Sequence, residues 1–339
     1  MSARPIATLL GAYPGASKDD LQAMLQTDWD LKIWAPANTD EDLTSALDGA
    51  SAVVVGADAL LSGRCLSPIL QASQLKLFQI PFSGHEWLRK EMLPPGCTAC
   101  NAYTHGASIA EYVMAAILNW EVNLAAISAD FKTGSWRYAG SAGVGERHGE
   151  VAGKTLGIIG YGQIGQQLAK RADAFDMKVM ALARIKREAP APLSWLGTLA
   201  ELETLLKQSD YVALACPLTE ETAGLINTAT LGQMKPSSVL INVARGPIIQ
   251  PEDLHTALSS NQIRGAVLDT WYAYPTPDDM QPKPAPVDFA ALDNVVMTPH
   301  CAAWTQPHHQ RRWRAVAGNL DRLANGEALA DMIDLSGPT

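Results

Sequence analysis

A glycine-rich turn is the clearest place for chemistry in this sequence. Three glycines with the spacing GxGxxG begin at Gly160, after an apolar run at residues 156–159 and before a helical pattern at residues 166–175. In a strand–turn–helix these glycines allow a tight turn, close approach of a pyrophosphate and close packing of the helix, whose N-terminus favours an anion. A dinucleotide-binding site is therefore predicted at Gly160, Gly162, Gln163, Ile164 and Gly165.

The strand that should follow this helix, at residues 178–183, ends on an unusual set of charges. A site for NAD usually places an acidic residue here to bind the ribose 2'-hydroxyl, but this chain has Arg184, Lys186 and Arg187. A carboxylate would repel a 2'-phosphate, whereas a guanidinium binds one through two hydrogen bonds. The sequence therefore favours NADP(H) over NAD(H), and a solvated basic turn is the alternative.

The composition is that of an ordinary globular protein. The chain has 339 residues, of which 47% are hydrophobic and 18% charged, enough for two domains. A formal net charge of -9 argues against a nucleic-acid-binding surface, which needs clustered positive charge. No apolar run approaches the roughly 20 residues that cross a bilayer, and the N-terminal residues do not resemble a secretory signal. We expect a cytoplasmic protein with no nucleic-acid or membrane partner.

The five cysteines predict neither a disulfide framework nor a metal site. Cys97 and Cys100 form a CxxC, but no second CxxC or histidine pair lies nearby in the sequence to complete a tetrahedral site. Thioredoxin-like motifs open a helix, whereas this pair enters a predicted strand. We expect reduced thiols and no bound metal, with a functional dithiol as the alternative.

Short apolar runs alternate with helical patterns on both sides of the glycine turn. Before it, strands are predicted at residues 6–12, 31–34, 52–55, 75–80 and 98–102, and helices at residues 19–25, 40–47, 68–72 and 86–92. After it, further strands are predicted at residues 211–216, 239–243, 266–269 and 295–298. This alternation is typical of parallel sheets with helices on both faces, so the predicted fold class is α/β with two doubly wound sheets.

Two further helical patterns decide the predicted domain organisation. Apolar residues at three- and four-residue spacing predict one long, mostly buried helix at residues 108–131. The final helix, at residues 307–324, has no strand after it, and we expect it to pack on the first domain. Residues 1–103 plus 300–339 would then form a discontinuous substrate domain, with a dinucleotide-binding domain at residues 104–299 inserted in it.

Three more motifs follow the glycine turn: CPLTEET at residues 216–222, NVARG at residues 242–246 and TPHCAAWT at residues 298–305. With GxGxxG they resemble, in order, the motifs of the D-isomer-specific 2-hydroxyacid dehydrogenases, a family that also contains formate and phosphoglycerate dehydrogenases. The resemblance covers nearly the whole chain. It implies a flavodoxin-like substrate domain, a Rossmann dinucleotide domain, and hydride transfer between a nicotinamide and a small 2-keto or 2-hydroxy acid.

Roles for individual residues follow from this resemblance. Hydride transfer to C2 of a keto acid needs a proton donor and a cation that holds the carboxylate. The resemblance implies that His300 is the acid/base and that Arg245 binds and polarises the substrate; a turn histidine and a surface ion pair are the alternatives. It also implies backbone binding of the substrate carboxylate by Phe82, Ser83 and Gly84. The further cofactor-lining residues that it implies are Pro217, Thr222, Val243 and Asp269, the last binding the nicotinamide amide.

One position departs from the family pattern. The family segment DxFxxEP carries a Glu that bonds the catalytic His and raises its pKa, whereas DTWYAYP at residues 269–275 has Tyr274 there. A phenol is neutral at pH 7 and can donate or accept a hydrogen bond. We therefore expect Tyr274 to orient His300 without a carboxylate's charge, and His300 to be less basic than in a Glu-bearing relative. The alternative is that Tyr274 only packs in its loop.

The leading hypothesis is an NADPH-preferring reductase of small 2-keto acids such as glyoxylate or hydroxypyruvate, or an enzyme of the reverse oxidation. The basic group that begins at Arg184 also resembles that of the family's glyoxylate and hydroxypyruvate reductases. The DTW segment and the missing Glu favour an alternative, a formate-dehydrogenase-like or other unusual hydride donor. A dinucleotide-sensing binding protein without turnover is a third possibility. The resemblance and the helix at residues 108–131 favour a homodimer.

Overall fold

A computed structural model describes residues 4–85, 87–143, 145–276 and 279–335. The chain divides into two compact units: residues up to Thr104 together with those from Thr305 onward, and the segment His105–Trp304. The turn that carries His300 therefore belongs to the second unit, whereas the predicted boundary had placed it in the first. The backbone explains this difference, because the N–H of Thr298 donates to the carbonyl of Leu268 and continues a strand pairing of the second unit.

The first unit contains a five-stranded parallel sheet. Its strands are β1 (Ile6–Leu10), β2 (Asp30–Trp34), β3 (Ala50–Val55), β4 (Leu77–Gln79) and β5 (Thr98–Cys100). They lie in the order β2-β1-β3-β4-β5, with every neighbouring pair parallel, which is the flavodoxin-like doubly wound arrangement. The central strands β1 and β3 are apolar almost throughout, as strands covered on both faces must be.

The helices that connect these strands are short. They are α1 (Ala12–Ala16), α2 (Lys18–Met24), α3 (Asp40–Leu47), α4 (Ala57–Leu61) and α5 (Leu66–Gln71). The predicted helix at residues 86–92 is wrong in the part that the structure describes, where only a single 3₁₀ turn, Lys90–Met92, forms; Glu86 lies outside the described residues.

The C-terminal helix, Gln306–Asn325, completes the core of the first unit. It begins after Thr305, whose side chain accepts the N–H of His308, and it ends at Gly326, which has a φ of 70°. Trp313 and Leu320 are fully buried in one apolar cluster with Leu9. The first unit is therefore built from both ends of the chain.

The second unit contains a seven-stranded parallel sheet. Its strands are β6 (Thr155–Ile159), β7 (Lys178–Leu182), β8 (Trp195–Gly197), β9 (Tyr211–Leu214), β10 (Val239–Asn242), β11 (Gly265–Leu268) and β12 (Val295–Met297). They lie in the order β12-β11-β10-β9-β6-β7-β8, and every neighbouring pair is parallel. The two parallel-sheet α/β domains predicted from the sequence are confirmed. The short strand β8 was not predicted, because three residues carry too little apolar pattern.

The helices of this unit are α6 (Gly106–Val122), α7 (Leu124–Lys132), α8 (Gln163–Asp173), α9 (Leu202–Gln208), α10 (Thr228–Leu231) and α11 (Pro251–Ser259). The single long helix predicted at residues 108–131 is wrong, because Asn123 between α6 and α7 has a left-handed φ of 47° and the two helices are bent by 45°. Among the helices of the described chain, none alone is long and apolar enough to cross a membrane. The bent pair of α6 and α7 passes by length and composition only, and α6 is largely buried in the protein core.

The contribution of the C-terminal helix to the first unit can be measured with a pair of alanine variants. Trp313→Ala should lower the free energy of unfolding by about 3–5 kcal/mol, because it leaves a cavity where a fully buried ring packed. The control is Leu61→Ala in the same unit, since Leu61 is 63% exposed and should change stability by less than about 1 kcal/mol. Denaturant unfolding measures both values. Equal values for the two variants would contradict the packing of this helix.

Candidate active site

The glycine turn leaves β6 at the point where the strand order of the second sheet reverses. Gly160 has a φ of 109°, and a Cβ there would lie 2.6 Å from the carbonyl oxygen of Ala215, so only glycine fits. A Cβ on Gly165 would collide with the carbonyl oxygen of Gly160, whereas one on Gly162 would meet no atom within 4 Å. The turn is thus closely packed on the protein side and open at Gly162, beside the first backbone N–H groups of α8. This open cradle at a helix N-terminus fits a pyrophosphate.

The basic residues after β7 differ in their surroundings. Arg184, Lys186 and Arg187 are all exposed. Lys186 Nζ lies 2.9 Å from Glu201 Oε1, and this contact lowers the pKa of Glu201. Arg184 forms no ion pair with any residue that the structure describes. Of the three cations, Lys186 therefore has a carboxylate partner within the chain. Arg184 has none among the described residues, so its guanidinium is available to an anionic ligand.

Thr222 and Val243, two predicted cofactor-lining residues, have side chains turned to the protein. Thr222 Oγ1 donates to the carbonyl of Pro217 at 2.7 Å and accepts the N–H of Thr219 at 2.8 Å, which closes the loop after β9. Val243 is buried in the apolar core of the second unit, whereas Pro217 is exposed. These side chains shape the loops, and contact of the loops with a cofactor stays a prediction.

Arg245 lies just beyond the end of β10 on a turn closed by Asn242. The Oδ1 of this buried asparagine accepts the N–H of Ala244 at 3.0 Å, and its Nδ2 donates to the carbonyl of Arg245 at 2.9 Å. A Cβ on Gly246 would lie 2.5 Å from the carbonyl carbon of Trp271, so this glycine lets the turn approach the loop after β11. Sequence reasoning did not assign Asn242 a role, although it is the first residue of the NxxRG pattern.

His300 lies beyond the end of β12 in a turn held by Asp269. The Oδ1 of Asp269 accepts the hydroxyl of Thr298 at 2.6 Å and the N–H of Cys301 at 2.8 Å, and its Oδ2 accepts the N–H of Ala302 at 3.0 Å. His300 itself has a left-handed φ of 58°, uncommon for a residue with a side chain. Asp269 was predicted to bind the nicotinamide amide. In the structure its carboxylate accepts three hydrogen bonds from this turn.

Tyr274 contacts His300 through its ring and not through its hydroxyl. The two ring centroids are 5.4 Å apart with an interplanar angle of 49°. The Tyr274 hydroxyl accepts the N–H of Trp271 at 3.0 Å, and within the described chain the imidazole of His300 makes no side-chain hydrogen bond. Tyr274 thus limits the position of the imidazole by packing, and the hydrogen bond expected between them is not formed.

Charges at the ends of adjacent strands act on His300 in opposite directions. Nearby protein desolvates the ring, although part of it remains exposed to solvent, and this lowers its pKa below the ordinary 6.5. The positive charge of Arg245 lowers the pKa further, and the negative charge of Asp269 opposes both effects. Burial also raises the pKa of Tyr274, so the phenol is neutral. That His300 is less basic than the histidine of a Glu-bearing relative stays a prediction.

The loop predicted to bind a substrate carboxylate follows β4 in the first unit. Its carbonyl groups are held from the protein side: that of Phe82 accepts the N–H of Ala102 at 3.3 Å, and that of Ser83 accepts Nδ2 of Asn101 at 3.1 Å. The backbone of this loop is therefore anchored at Phe82 and Ser83 to the segment that follows β5, and carboxylate binding by Phe82, Ser83 and Gly84 stays a prediction. Asn101, which is buried, was not singled out from the sequence.

The cysteines are free thiols in the structure. Burial raises the pKa of both Cys97 and Cys100 to about 12, so neither is a reactive thiolate at neutral pH. In the described part of the chain, no group of three or more His, Cys, Asp or Glu side chains could hold a metal ion.

The second unit combines an open glycine turn at a helix N-terminus with Arg245 and His300 at the carboxyl ends of β10 and β12. A dinucleotide turn at the same sheet edge as an arginine and a histidine is typical of a nicotinamide-dependent oxidoreductase. Comparison with known proteins gives the family. The family model described as D-isomer specific 2-hydroxyacid dehydrogenase, NAD binding domain, matches residues 114–302. The chain belongs to the D-isomer-specific 2-hydroxyacid dehydrogenases, oxidoreductases that act on CH–OH donors and bind NAD(P).

Several relatives are similar over much of the chain. A hydroxypyruvate reductase of Thermotoga maritima is 34% identical over 262 residues, which are 77% of this chain and 78% of that protein. A glyoxylate reductase of Pyrococcus furiosus is 38% identical over 178 residues, 52% of this chain and 50% of the relative. Among solved structures, a D-isomer specific 2-hydroxyacid dehydrogenase family protein from Aeromonas salmonicida has a TM-score of 0.80 at 25% identity and covers 98% of this chain and 100% of its own.

A further solved structure shares the fold and contains a nicotinamide cofactor. An NADPH-dependent glyoxylate/hydroxypyruvate reductase from Sinorhizobium meliloti, in complex with NADP and sulfate, has a TM-score of 0.76 at 23% identity. The similarity covers 99% of this chain and 100% of that one.

The electrostatics of His300 predict a pH profile. Reduction of a keto acid takes a proton from the imidazole, so kcat/KM for reduction should fall as the pH rises through the lowered pKa of His300, and oxidation should rise over the same interval. Tyr274→Phe should leave the position of this limb unchanged, because the hydroxyl that it removes bonds to Trp271 and not to His300. A wild-type limb well above neutrality that Tyr274→Phe displaces would contradict this assignment.

Proposed function

We propose that this protein is an NADPH-preferring reductase of small 2-keto acids of the glyoxylate and hydroxypyruvate type, or catalyses the reverse oxidation. The observation that carries this proposal is the position of Arg245 and His300 beyond the carboxyl ends of β10 and β12, the two strands that flank β11, in the sheet that bears the glycine turn. The names of the relatives support the substrate class.

In this proposal each residue has a separate task. The bound nicotinamide supplies the hydride for C2 of the substrate. Arg245 holds the substrate carboxylate and polarises the keto group, because a guanidinium can bind two oxygens at once. His300 donates a proton to the oxygen that becomes the hydroxyl, and in the reverse direction it removes that proton. Binding of the substrate carboxylate by the backbone amides of Phe82, Ser83 and Gly84 is part of the same proposal.

The cofactor proposal rests on the exposed cations after β7. The open Gly162 cradle is assigned the pyrophosphate, and Arg184, which has no ion pair in the described chain, is assigned the 2'-phosphate of NADP. Arg187 lies near enough to Tyr161, beside the glycine turn, for its charge to lower the pKa of the phenol against the larger effect of burial. Two guanidinium groups near this turn favour a doubly charged phosphate over a free hydroxyl.

The enzyme is proposed to be cytoplasmic and a homodimer. The exposed apolar surface of α7 supports the homodimer. None of the residues of α7 is buried, although the helix carries Leu124, Ile127 and Phe131. Leu124 is 71% exposed and Phe131 is 55% exposed, and the Phe131 ring contacts that of Trp136. An exposed apolar helix of this kind is typical of a subunit interface, and we assign it to a second copy of this chain.

The reaction is tested by a panel of 2-keto acids with NADPH and NADH, followed by the absorbance of the reduced nicotinamide. Glyoxylate or hydroxypyruvate should be reduced, and His300→Gln should lower kcat at least about a hundredfold, because proton transfer in the transition state contributes roughly that much. Formate oxidation in place of keto-acid reduction would support the formate-dehydrogenase-like alternative. Tight NADPH binding without turnover of any acid would support the binding-protein alternative.

The cofactor preference is tested with two variants of the basic group. Arg184→Ala should raise the KM for NADPH about tenfold or more and leave the KM for NADH unchanged, because a charge-assisted bond to the 2'-phosphate contributes about 1.5–3 kcal/mol. Lys186→Ala is the matched control, since the Lys186 ammonium is already paired with Glu201 and should matter less. Equal use of both cofactors by the wild type, with no effect of Arg184→Ala, would refute the 2'-phosphate assignment.

A further inference from the structure

The family's catalytic His has a carboxylate partner, and this chain lacks the Glu that normally supplies it. Tyr274 at that position is neutral, and its hydroxyl accepts the backbone N–H of Trp271. Among the residues that the structure describes, the groups that act on His300 are Tyr274, Arg245 and Asp269. Asp269, at the end of β11, is the only acid among these three, so it is the described carboxylate that can support a protonated His300.

Asp269 is bound to the His300 turn from both sides of the histidine. Its carboxylate accepts a hydroxyl from Thr298, two residues before His300, and backbone N–H groups from Cys301 and Ala302, directly after it. Asp269 as a whole is 1% exposed, and these three donors compensate the burial of its charge. His300 cannot shift along this turn unless at least one of these bonds breaks.

A second contact extends this network to α6. The hydroxyl of Tyr112 lies 2.6 Å from Thr298 Oγ1, and Trp271 Nε1 donates to the carbonyl of Thr298 at 2.8 Å. Because the Thr298 hydroxyl donates to Asp269, the Tyr112 hydroxyl is the donor of its own bond with Thr298. The chain Tyr112–Thr298–Asp269 thus joins a helix and two strand ends around the left-handed backbone of His300.

We infer that Asp269, which the family segment DxFxxEP shares with Glu-bearing relatives, is a positioning residue that holds the His300 turn through Thr298, Cys301 and Ala302 and, without the Glu, provides the negative charge that the protonated imidazole needs. This inference rests on the proposed acid/base role of His300. It assigns Asp269 to the proton-transfer side of the reaction. It also explains how the chain retains a usable acid after losing the carboxylate at position 274.

The direct test is an NMR titration of His300 in the whole protein without substrate. Histidine labelled with ¹³C in the ring gives the signal, and His300→Gln assigns it. Asp269→Asn should move the midpoint of His300 to lower pH, because the opposing positive charge of Arg245 remains. Asp210→Asn is the matched control: Asp210 also accepts a backbone N–H, from Thr155, and pairs with Lys235 away from the turn. An unchanged or raised midpoint in Asp269→Asn would overturn the inference.

Kinetics with NADPH and glyoxylate give a second readout. Asp269→Asn should lower kcat roughly a hundredfold, the cost of a misplaced catalytic group, with little change in the Kd of NADPH measured by fluorescence. A raised Kd with unchanged kcat would instead show that Asp269 serves the nicotinamide amide, and would overturn the inference. If neither glyoxylate nor hydroxypyruvate is reduced, the proposed function fails, while the titration still decides the role of Asp269.

Three further variants guard against a folding defect in Asp269→Asn. Thr298→Val removes one donor to Asp269 and should lower kcat several-fold without changing the KM for glyoxylate, whereas Thr298→Ser keeps the hydroxyl and should restore most of the loss. Tyr274→Glu, added to Asp269→Asn, should return the His300 midpoint towards higher pH, because it supplies a carboxylate at the family's position. Equal kcat values for Thr298→Val and Thr298→Ser, or no recovery with Tyr274→Glu, would count against the inference.

Discussion

The bond set between the Asp269 carboxylate and the turn at residues 298–302 is the interaction on which the candidate site depends. It ties the end of β11 to the segment that follows β12, and it holds His300 in a left-handed backbone conformation that costs of order 1 kcal/mol or more when nothing opposes it. A buried carboxylate tolerates this position only when its oxygens are satisfied, and here the donors are the residues on either side of His300. The hydrogen bonds that compensate the buried charge of Asp269 therefore also fix the position of His300, the proposed acid/base.

Close approach of backbone segments is the second constraint. Gly160 packs against the end of β9, and Gly246 packs against the peptide between Trp271 and Tyr272, at distances that no Cβ could share. These contacts bring the glycine turn, the Arg245 turn and the loop after β11 to one edge of the sheet. Parallel strands make this possible, because their carboxyl ends all lie at the same edge.

The position at which the chain departs from its family changes the electrostatics and leaves the scaffold unchanged. Tyr274 keeps contact with His300 through its ring, so the space of the missing side chain is filled. It brings no charge, and the balance at His300 is left to burial, Arg245 and Asp269. The motif alone indicates that the Glu that bonds the histidine is missing. In the folded chain the carboxylate of Asp269 binds the turn that carries His300.

Much of this protein was predictable from local sequence. Apolar runs alternating with helical patterns predicted two parallel-sheet domains, and glycine spacing predicted the dinucleotide turn, because both signals come from neighbouring residues. The break between α6 and α7 at Asn123 was missed, because the apolar periodicity continues through this residue. Only its φ, which is positive, interrupts the helix. The partners of Asp269 and Thr298 could not be predicted, because Thr298 bonds residues 29 and 186 positions away, and only the folded sheet brings them together. The sequence by itself thus determined which chemical groups the chain carries, and the tertiary structure decided which carboxylate acts on His300.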